Sequence, residues 1–277
     1  MLGGDVCRLL ADRHEIRATD VDTLDVSVPG AVMRMVEQVR PDLIIHLAAW
    51  TDVDGCERDP RNAYRVNTVG AQSVALACQK AEIPLVYLST IAVFDGDKVE
   101  PYTEFDTPNP HSVYSRSKHQ GELIVQSLLR RYYIVRAGWM FGGGEHDKKF
   151  VGKIIRAARE NGELRAVNDK FGSPTYTVDL ARGLDHLIET GWYGVYHMVN
   201  PGGAPSRFEV ARHILDYAGI ANCHLTPVSS ATFPLPAPRP RMEGGHNLHL
   251  ELLGLNWMRP WTEALREYVS ELIMRPG

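Results

Sequence analysis

Long apolar runs are missing from this 277-residue chain. None approaches the ~20 apolar residues that span a bilayer, so no membrane span is expected. The N-terminus has no secretory signal pattern either. Cysteine is scarce: Cys7, Cys56, Cys78 and Cys223 are spread out, with no Cys-x-x-Cys. That usage points to a reduced, cytoplasmic protein. Neither sign of charge is in large excess; the formal net charge is -4. A slight acidity gives no reason to expect nucleic acid or a membrane surface as partner. There is no internal repeat. A Gly-x-Ser-x-Gly elbow is missing, which argues against a serine hydrolase. Gly142-Gly143-Gly144 lacks the Lys-Ser/Thr that follows in a phosphate loop, so a flexible turn is expected. His246-x-x-His249 with Glu251 lacks the full zinc-protease signature, and no metal site is expected.

What is present suits one large α/β domain, or one domain with a small lobe. Asp42 to Ala49, Leu85 to Ser89 and Tyr133 to Arg136 are nearly continuous in apolar residues, as buried parallel strands are. His14 to Asp20 is expected to be a further strand. Helical patterns lie between them at Ala31 to Val39, Pro60 to Lys80 and Ser112 to Arg131. Asp59-Pro60 looks like an N-cap followed by proline at the first helical position. Such alternation predicts a doubly wound, Rossmann-like parallel sheet. The texture changes near Phe150. Helices are expected near Lys148 to Asn161, Thr177 to Glu189, Arg207 to Ala218 and Trp261 to Met274. Thr226 to Pro240, rich in Pro, Ser and Ala, is expected to be irregular surface.

Tyr114 and Lys118 stand four residues apart, one helical turn, and so share a face. Ser89-Thr90 ends the apolar run Leu85-Val86-Tyr87-Leu88 upstream of them. Hydroxyls at a strand end, facing a helix with Tyr and Lys, make a proton-transfer site. The Lys charge favours the tyrosinate, and a Ser or Thr hydroxyl can bond a carbonyl oxygen.

These residues resemble an extended short-chain dehydrogenase/reductase, and within that class the dTDP-4-dehydrorhamnose reductase family. The likeness covers nearly the whole chain: Ile45-His46-Leu47-Ala48-Ala49 with Thr51, Leu88-Ser89-Thr90 with Val93-Phe94-Asp95-Gly96, Tyr114 to Lys118, Arg136 to Trp139, Phe171-Gly172-Ser173-Pro174-Thr175, and Met258-Arg259-Pro260-Trp261. The resemblance implies a dinucleotide-binding domain over 1–149 and a mainly substrate-binding lobe over 150–277, with segments returning to the sheet. It implies NAD(P)H-dependent reduction of the 4-keto group of a nucleotide-linked deoxysugar, with dTDP-4-dehydro-L-rhamnose first. Tyr114 would donate a proton to the carbonyl oxygen, Lys118 would lower the Tyr pKa and bond the nicotinamide ribose, and Thr90 would orient the carbonyl. Ser89, Trp139 and Thr175 would line the substrate. Asn67 would either support a water relay or be an ordinary helix-surface residue. A homodimer is compatible with the family. The same resemblance extends to a non-catalytic alternative, a regulatory subunit like the beta subunit of methionine adenosyltransferase.

The family's glycine turn reads Gly-x-x-Gly-x-x-Gly, and Met1-Leu2-Gly3 fits its last three places. The expectation is therefore that a first strand and two glycines lie upstream of Met1, since an empty central strand would leave two ladders unpaired. Asp20 lies near the ~20-residue spacing of the dinucleotide fingerprint. A carboxylate there bonds ribose hydroxyls and repels a 2′-phosphate, and Val21-Asp22 offers no Arg, so NAD(H) is expected over NADP(H). Asp25-Val26 resembles the family's adenine contact. Ala48 and Ala49 are small where a cofactor must approach. Three places depart from the family: Ile91-Ala92 stands in place of Asp-Tyr, Lys170 in place of Gln, and Glu243-Gly244-Gly245 where the family usually carries Asn-Ser. These departures leave open which sugar is preferred.

Overall fold

The sheet is built from strands whose alternate residues face two separate apolar layers. In the computed structural model, which describes residues 1–144 and 149–274, four parallel strands run in the order β1 (Ile44–His46), β2 (Leu85–Thr90), β3 (Tyr132–Ala137), β8 (Gly194–His197). Ile45 lies beside Val86, Val86 beside Tyr133, and Val135 beside Tyr196. Val86, Leu88, Tyr133 and Val135 face one layer with α1 (Leu2–Leu10) and α8 (Thr177–Thr190). Leu85, Tyr87 and Ile134 face the other, with α2 (Pro29–Val39), α5 (Gly70–Ala81) and α6 (Val113–Leu128). This two-residue period is what a strand buried on both sides requires. Leu2, Val6 and Leu10 repeat at four-residue spacing and present one buried stripe of α1 to α8. The doubly wound architecture is as expected.

A second core lies beyond the carboxyl ends of the strands. Phe141, Tyr176 and Tyr268 pack ring against ring, with centroids 5.3 to 5.7 Å apart. Around them pack α7 (Phe150–Glu160), α9 (Arg207–Tyr217) and α11 (Trp261–Met274). Three short parallel pairs complete this region: β4 (Trp139–Phe141) with β7 (Pro174–Tyr176), β5 (Glu163–Val167) with β9 (His224–Val228), and β6 (Phe171–Gly172) with β10 (Met242–Glu243). Asp179 joins the distant motifs: it accepts from Arg259 Nε and from Asn200 Nδ2 at 2.8 Å, while Asn200 Oδ1 accepts from Tyr176 N at 2.7 Å. The Arg259 stretch is thereby tied to the Phe171–Thr175 stretch.

Several expected boundaries change. His14 to Asp20 forms no strand. A strand needs a hydrogen-bonded neighbour, and among the described residues none stands between this segment and β1. The Asp42 to Ala49 strand contracts to Ile44–His46, because β1 pairs on one side alone and the chain leaves the sheet from Leu47. Thr226 to Val228 are not irregular: they finish β9, and Pro227, which has no N–H, is accommodated because β9 lies at an edge of its two-stranded ladder. The Pro60 to Lys80 helix is continuous but changes pitch. It runs as α4 (Pro60–Tyr64), a π-helical turn over Arg65–Val69, then α5. Asp59 caps it as expected, accepting from Asn62 N at 3.0 Å. Of the Lys148 to Asn161 helix, Phe150–Glu160 is helical and Lys148 lies outside the described residues.

Candidate active site

The site forms where β2 ends and α6 begins. Thr90 finishes β2 and caps a short 3-10 turn over Ile91–Val93, its hydroxyl accepting from Ala92 N at 3.1 Å. Ser112 caps α6 and accepts from Ser115 N at 3.1 Å, which starts the helix immediately before Tyr114. Gly121 lets α6 lie close on β2: a Cβ there would fall 2.3 Å from the Tyr87 hydroxyl. That closeness allows Tyr87 to donate to the Lys118 carbonyl at 3.1 Å. Tyr114 hydrogen-bonds with Thr90, and Lys118 stands one turn further along α6.

Electrostatics distinguish their roles. Burial pushes the half-buried Tyr114 phenol up to about 12, and hydrogen bonding with Thr90 works against that rise. At neutral pH Tyr114 therefore carries the proton an acid needs. Lys118 is 3% exposed, and burial lowers its amine to about 7, opposed by the Glu122 carboxylate. Its Nζ sits over the Tyr87 ring, 4.2 Å from the centroid. Burial, and to a lesser degree Cys56 and Glu243, raise the Tyr114 pKa, while Thr90 lowers it.

Asn67 proves to be neither a surface residue nor free. It lies in the π turn at 1% exposure, accepts from Trp50 N at 2.8 Å, and donates to Trp50 O at 3.2 Å and Ser117 Oγ at 2.9 Å. It ties the segment leaving β1 to α6. A π turn re-aims side chains within a helix, which is how Asn67 reaches inward.

Trp139 is half-buried, and its Nε1 donates to Glu243 at 2.6 Å. Gly172 makes room for it: a Cβ there would fall 2.3 Å from the indole. Thr175 does not reach an open surface. It is fully buried, accepting from Gly138 N at 3.3 Å and donating to Ser173 O at 3.4 Å. Ser89 is also buried, at 5%, on the side of Glu122. Ile91 is 1% exposed and packs with Val93, Phe94, Tyr102 and Met242, so this position faces core rather than substrate. Lys170 donates to the Arg239 carbonyl at 2.7 Å and holds a loop. Of the three departures from the family, Glu243 alone is coupled to Tyr114.

On the cofactor side, the N-terminus of α1 approaches the carboxyl end of β1, with the Cβ position of Gly3 3.9 Å from Leu47. Gly3 lies in the first helical turn. Gly142, Gly143 and Gly144 form a positive-φ turn beside Met1. Ala48 is exposed and Ala49 half-buried. Asp20 is exposed and opens a turn closed by Thr23. Asp25 accepts from Ser27 N at 2.9 Å and Ser27 Oγ at 2.7 Å, and these bonds hold its carboxyl below the usual range. Val26 packs on Gly70 of α5. A helix N-terminus, small residues at a strand end and exposed carboxylates fit a dinucleotide. One residue was missed: Arg65, forty positions beyond Asp25, lies 3.5 Å from it and donates to Ser27 Oγ at 2.5 Å. No local pattern pointed to it, because the π turn brings it there.

His246 and His249 do not converge. His246 pairs with Glu251 at 2.7 Å, whereas His249 faces the Val195 carbonyl. No three metal-ligating side chains gather among the described residues, and none of the described helices is long and apolar enough to cross a membrane.

A family model described as RmlD substrate binding domain matches residues 1–274. A dTDP-4-dehydrorhamnose reductase of Mycobacterium tuberculosis is 39% identical over 246 residues, covering 87% of this chain and 80% of that protein. A crystal structure of a dTDP-4-dehydrorhamnose reductase from Clostridium acetobutylicum superposes with a TM-score of 0.95 at 37% identity, covering 99% of this chain and 96% of that one. The Bacillus anthracis dTDP-4-dehydrorhamnose reductase, solved in complex with NADP, gives 0.93 at 38%, covering 98% and 95%. The chain belongs to the RmlD substrate-binding domain family of extended short-chain dehydrogenases/reductases.

Proposed function

We propose that this chain is an NAD(P)H-dependent reductase acting on the 4-keto group of a dTDP-linked deoxysugar, dTDP-4-dehydro-L-rhamnose foremost. The observation that carries the reading is the convergence of Thr90, protonated Tyr114 and buried Lys118 at one end of β2. The nicotinamide supplies the hydride when bound. Thr90 and Tyr114 bond the substrate carbonyl oxygen from two directions. Tyr114 gives up its proton as negative charge develops on that oxygen. Lys118 bonds the ribose and stabilises the tyrosinate that remains. The chain divides functionally near Phe150, with residues before it serving mainly the dinucleotide and residues after it mainly the nucleotide sugar. Trp139 and Glu243 meet the sugar.

Asp20, Asp25, Ala48, Ala49 and the first turn of α1 at Gly3 hold the dinucleotide. Asp20 favours NADH, and Arg65 beside Asp25 tempers that preference. The reading is tested by following NAD(P)H oxidation with a panel of nucleotide-linked 4-keto sugars. Turnover of dTDP-4-dehydrorhamnose with loss in Tyr114→Phe supports it. Cofactor binding without turnover of any such sugar overturns it. A kcat/KM for NADPH above that for NADH would remove Asp20 as selector. A further fall in NADPH use in Arg65→Gln would identify the compensating cation.

A further inference from the structure

We propose that Glu57 is a positioning residue for Tyr114, and that its helix, α3 (Val53–Arg58), links Tyr114 to the segment before β10. The inference rests on the reductase reading above. Val113 is the first residue of α6, so no preceding turn of helix accepts from its N–H. Ser112 caps Ser115. The Val113 N–H goes instead to Glu57 Oε2 at 3.0 Å, an acid from fifty-six positions upstream. A carboxylate there also meets the positive end of the helix dipole. Tyr114 is the next residue, so the bond that fixes the start of α6 fixes the base of the Tyr114 side chain. Val113 and Tyr114 belong to one apolar cluster with Cys56 of α3.

The short helix is itself held firmly. Asp52 caps it, accepting from Gly55 N at 2.9 Å. Gly55 leaves no room for a side chain: a Cβ would fall 2.4 Å from the Asp52 carboxylate and 2.9 Å from the Trp50 ring. Asn67 bonds both the N–H and the carbonyl of Trp50. Three positions before Glu57, Asp54 holds a different part of the chain. Its Oδ1 accepts from Ala237 N at 3.2 Å and from Arg239 Nη2 at 3.0 Å. Arg239 also donates to the Ala237 carbonyl at 3.0 Å, which closes the turn on Asp54. Four residues after Arg239 comes Glu243, which bonds the Trp139 indole.

One helix of six residues thus carries two acids with two tasks. Asp54 fixes the segment that leads to Glu243, and Glu57 fixes the start of α6. A sugar seated against Trp139 and Glu243 acts on that segment, and α3 passes the displacement to Tyr114. Proton donation needs the phenol within hydrogen-bond reach of the carbonyl oxygen, and a misplacement of about 1 Å can cost about 10²-fold.

The test compares Glu57→Gln and Glu57→Asp in the full chain, saturated with NADH, with dTDP-4-dehydrorhamnose as substrate. Gln keeps an accepting oxygen at the same reach. Asp keeps the charge but is one methylene too short. Glu57→Gln should stay within about threefold of wild type in kcat, and Glu57→Asp should lose about tenfold or more. KM for NADH should move in neither. The solvent deuterium isotope effect on kcat should rise in Glu57→Asp, because proton donation from a displaced Tyr114 becomes limiting. A variant that only folds less well keeps the wild-type effect. Hydrogen exchange gives a readout independent of turnover. The amides of Val113, Tyr114 and Ser115 should exchange faster in Glu57→Asp, and also in Asp54→Ala, where Ala237 is released as well. Wild-type kcat and exchange in Glu57→Asp overturn the positioning role. Release of Ala237 in Asp54→Ala with no change at Val113 to Ser115 overturns the link through α3. A chain that reduces no nucleotide sugar, while these amides respond as expected, would sink the reductase reading and leave the anchor of α6 standing.

Discussion

Arg136 grips Glu122 of α6 with two bonds: Nε donates to one carboxylate oxygen at 2.9 Å and Nη2 to the other at 2.7 Å. Both side chains are almost wholly buried, and Glu122 stands one turn beyond Lys118 on α6. Burial raises the Glu122 pKa, but the bonds to Arg136 and His119 outweigh it and bring the carboxyl down to about 2. The negative charge that sustains Lys118 is therefore secured by a strand residue.

Removing one partner should be severe. Glu122→Gln leaves Arg136 buried without its acid and should cost about 3–5 kcal/mol. Glu122→Met combined with Arg136→Met should be less destabilised than either single variant. Urea unfolding of the four proteins decides it; additive losses would show that the pair is not a coupled unit.

The pH profile of turnover follows from Lys118. Its ammonium is the useful form, and its pKa is about 7. Raising the pH removes that proton, so kcat/KM should fall on the alkaline side from near neutrality while Tyr114, near 12, stays protonated. Removing the Glu122 charge should move this limb to lower pH. A limb that stays in place would separate Lys118 from the ionisation.

Tyr114→Phe should keep the fold and cofactor affinity and lose about 10²-fold or more in kcat, the usual range for a positioned acid. Lys118→Met should lose both turnover and cofactor affinity. Stopped assays with matched NADH titrations separate the two.

Stability should fall in acid. His46 and His197 are buried, and their pKa values are lowered to about 3, chiefly by burial. Between pH 3 and the ordinary value of 6.5 the unfolded chain binds protons that the folded chain refuses. Folding is then opposed by up to about 1.4 kcal/mol per pH unit for each histidine. Their contribution is constant above pH 6.5 and worsens as pH drops toward 3. His197→Gln should flatten the slope of unfolding free energy between pH 7 and pH 5; an unchanged slope would place the acid sensitivity elsewhere.

Position 91 should not accept the family's acid. Ile91→Asp puts a carboxylate where exposure is 1%, among Val93, Phe94 and Met242, and should destabilise by several kcal/mol. Ala92→Tyr, at a half-buried position, should be tolerated. Thermal unfolding of each variant reads this directly.

The local pattern was enough for elements whose partners are near in sequence or whose period is strong. The buried strands at Leu85 and Tyr133, the cap at Asp59, the Tyr114–Lys118 face and the hydroxyl at Thr90 all follow from spacing and residue type. Glu122 could have been found the same way, since it repeats the four-residue step from Lys118. Other features depended on atoms far apart in the chain. Whether His14 to Asp20 is a strand depends on a neighbour that it must pair with. Thr175 looked like a substrate contact but is enclosed by Gly138 and Ser173. Arg65 reaches Asp25 through a π turn, and Arg207 reaches Trp139 from a helix nearly seventy residues away. Periodicity reports which face of an element is buried. Only packing in three dimensions decides which charges meet there, and those meetings set the pKa values of the groups at the end of β2.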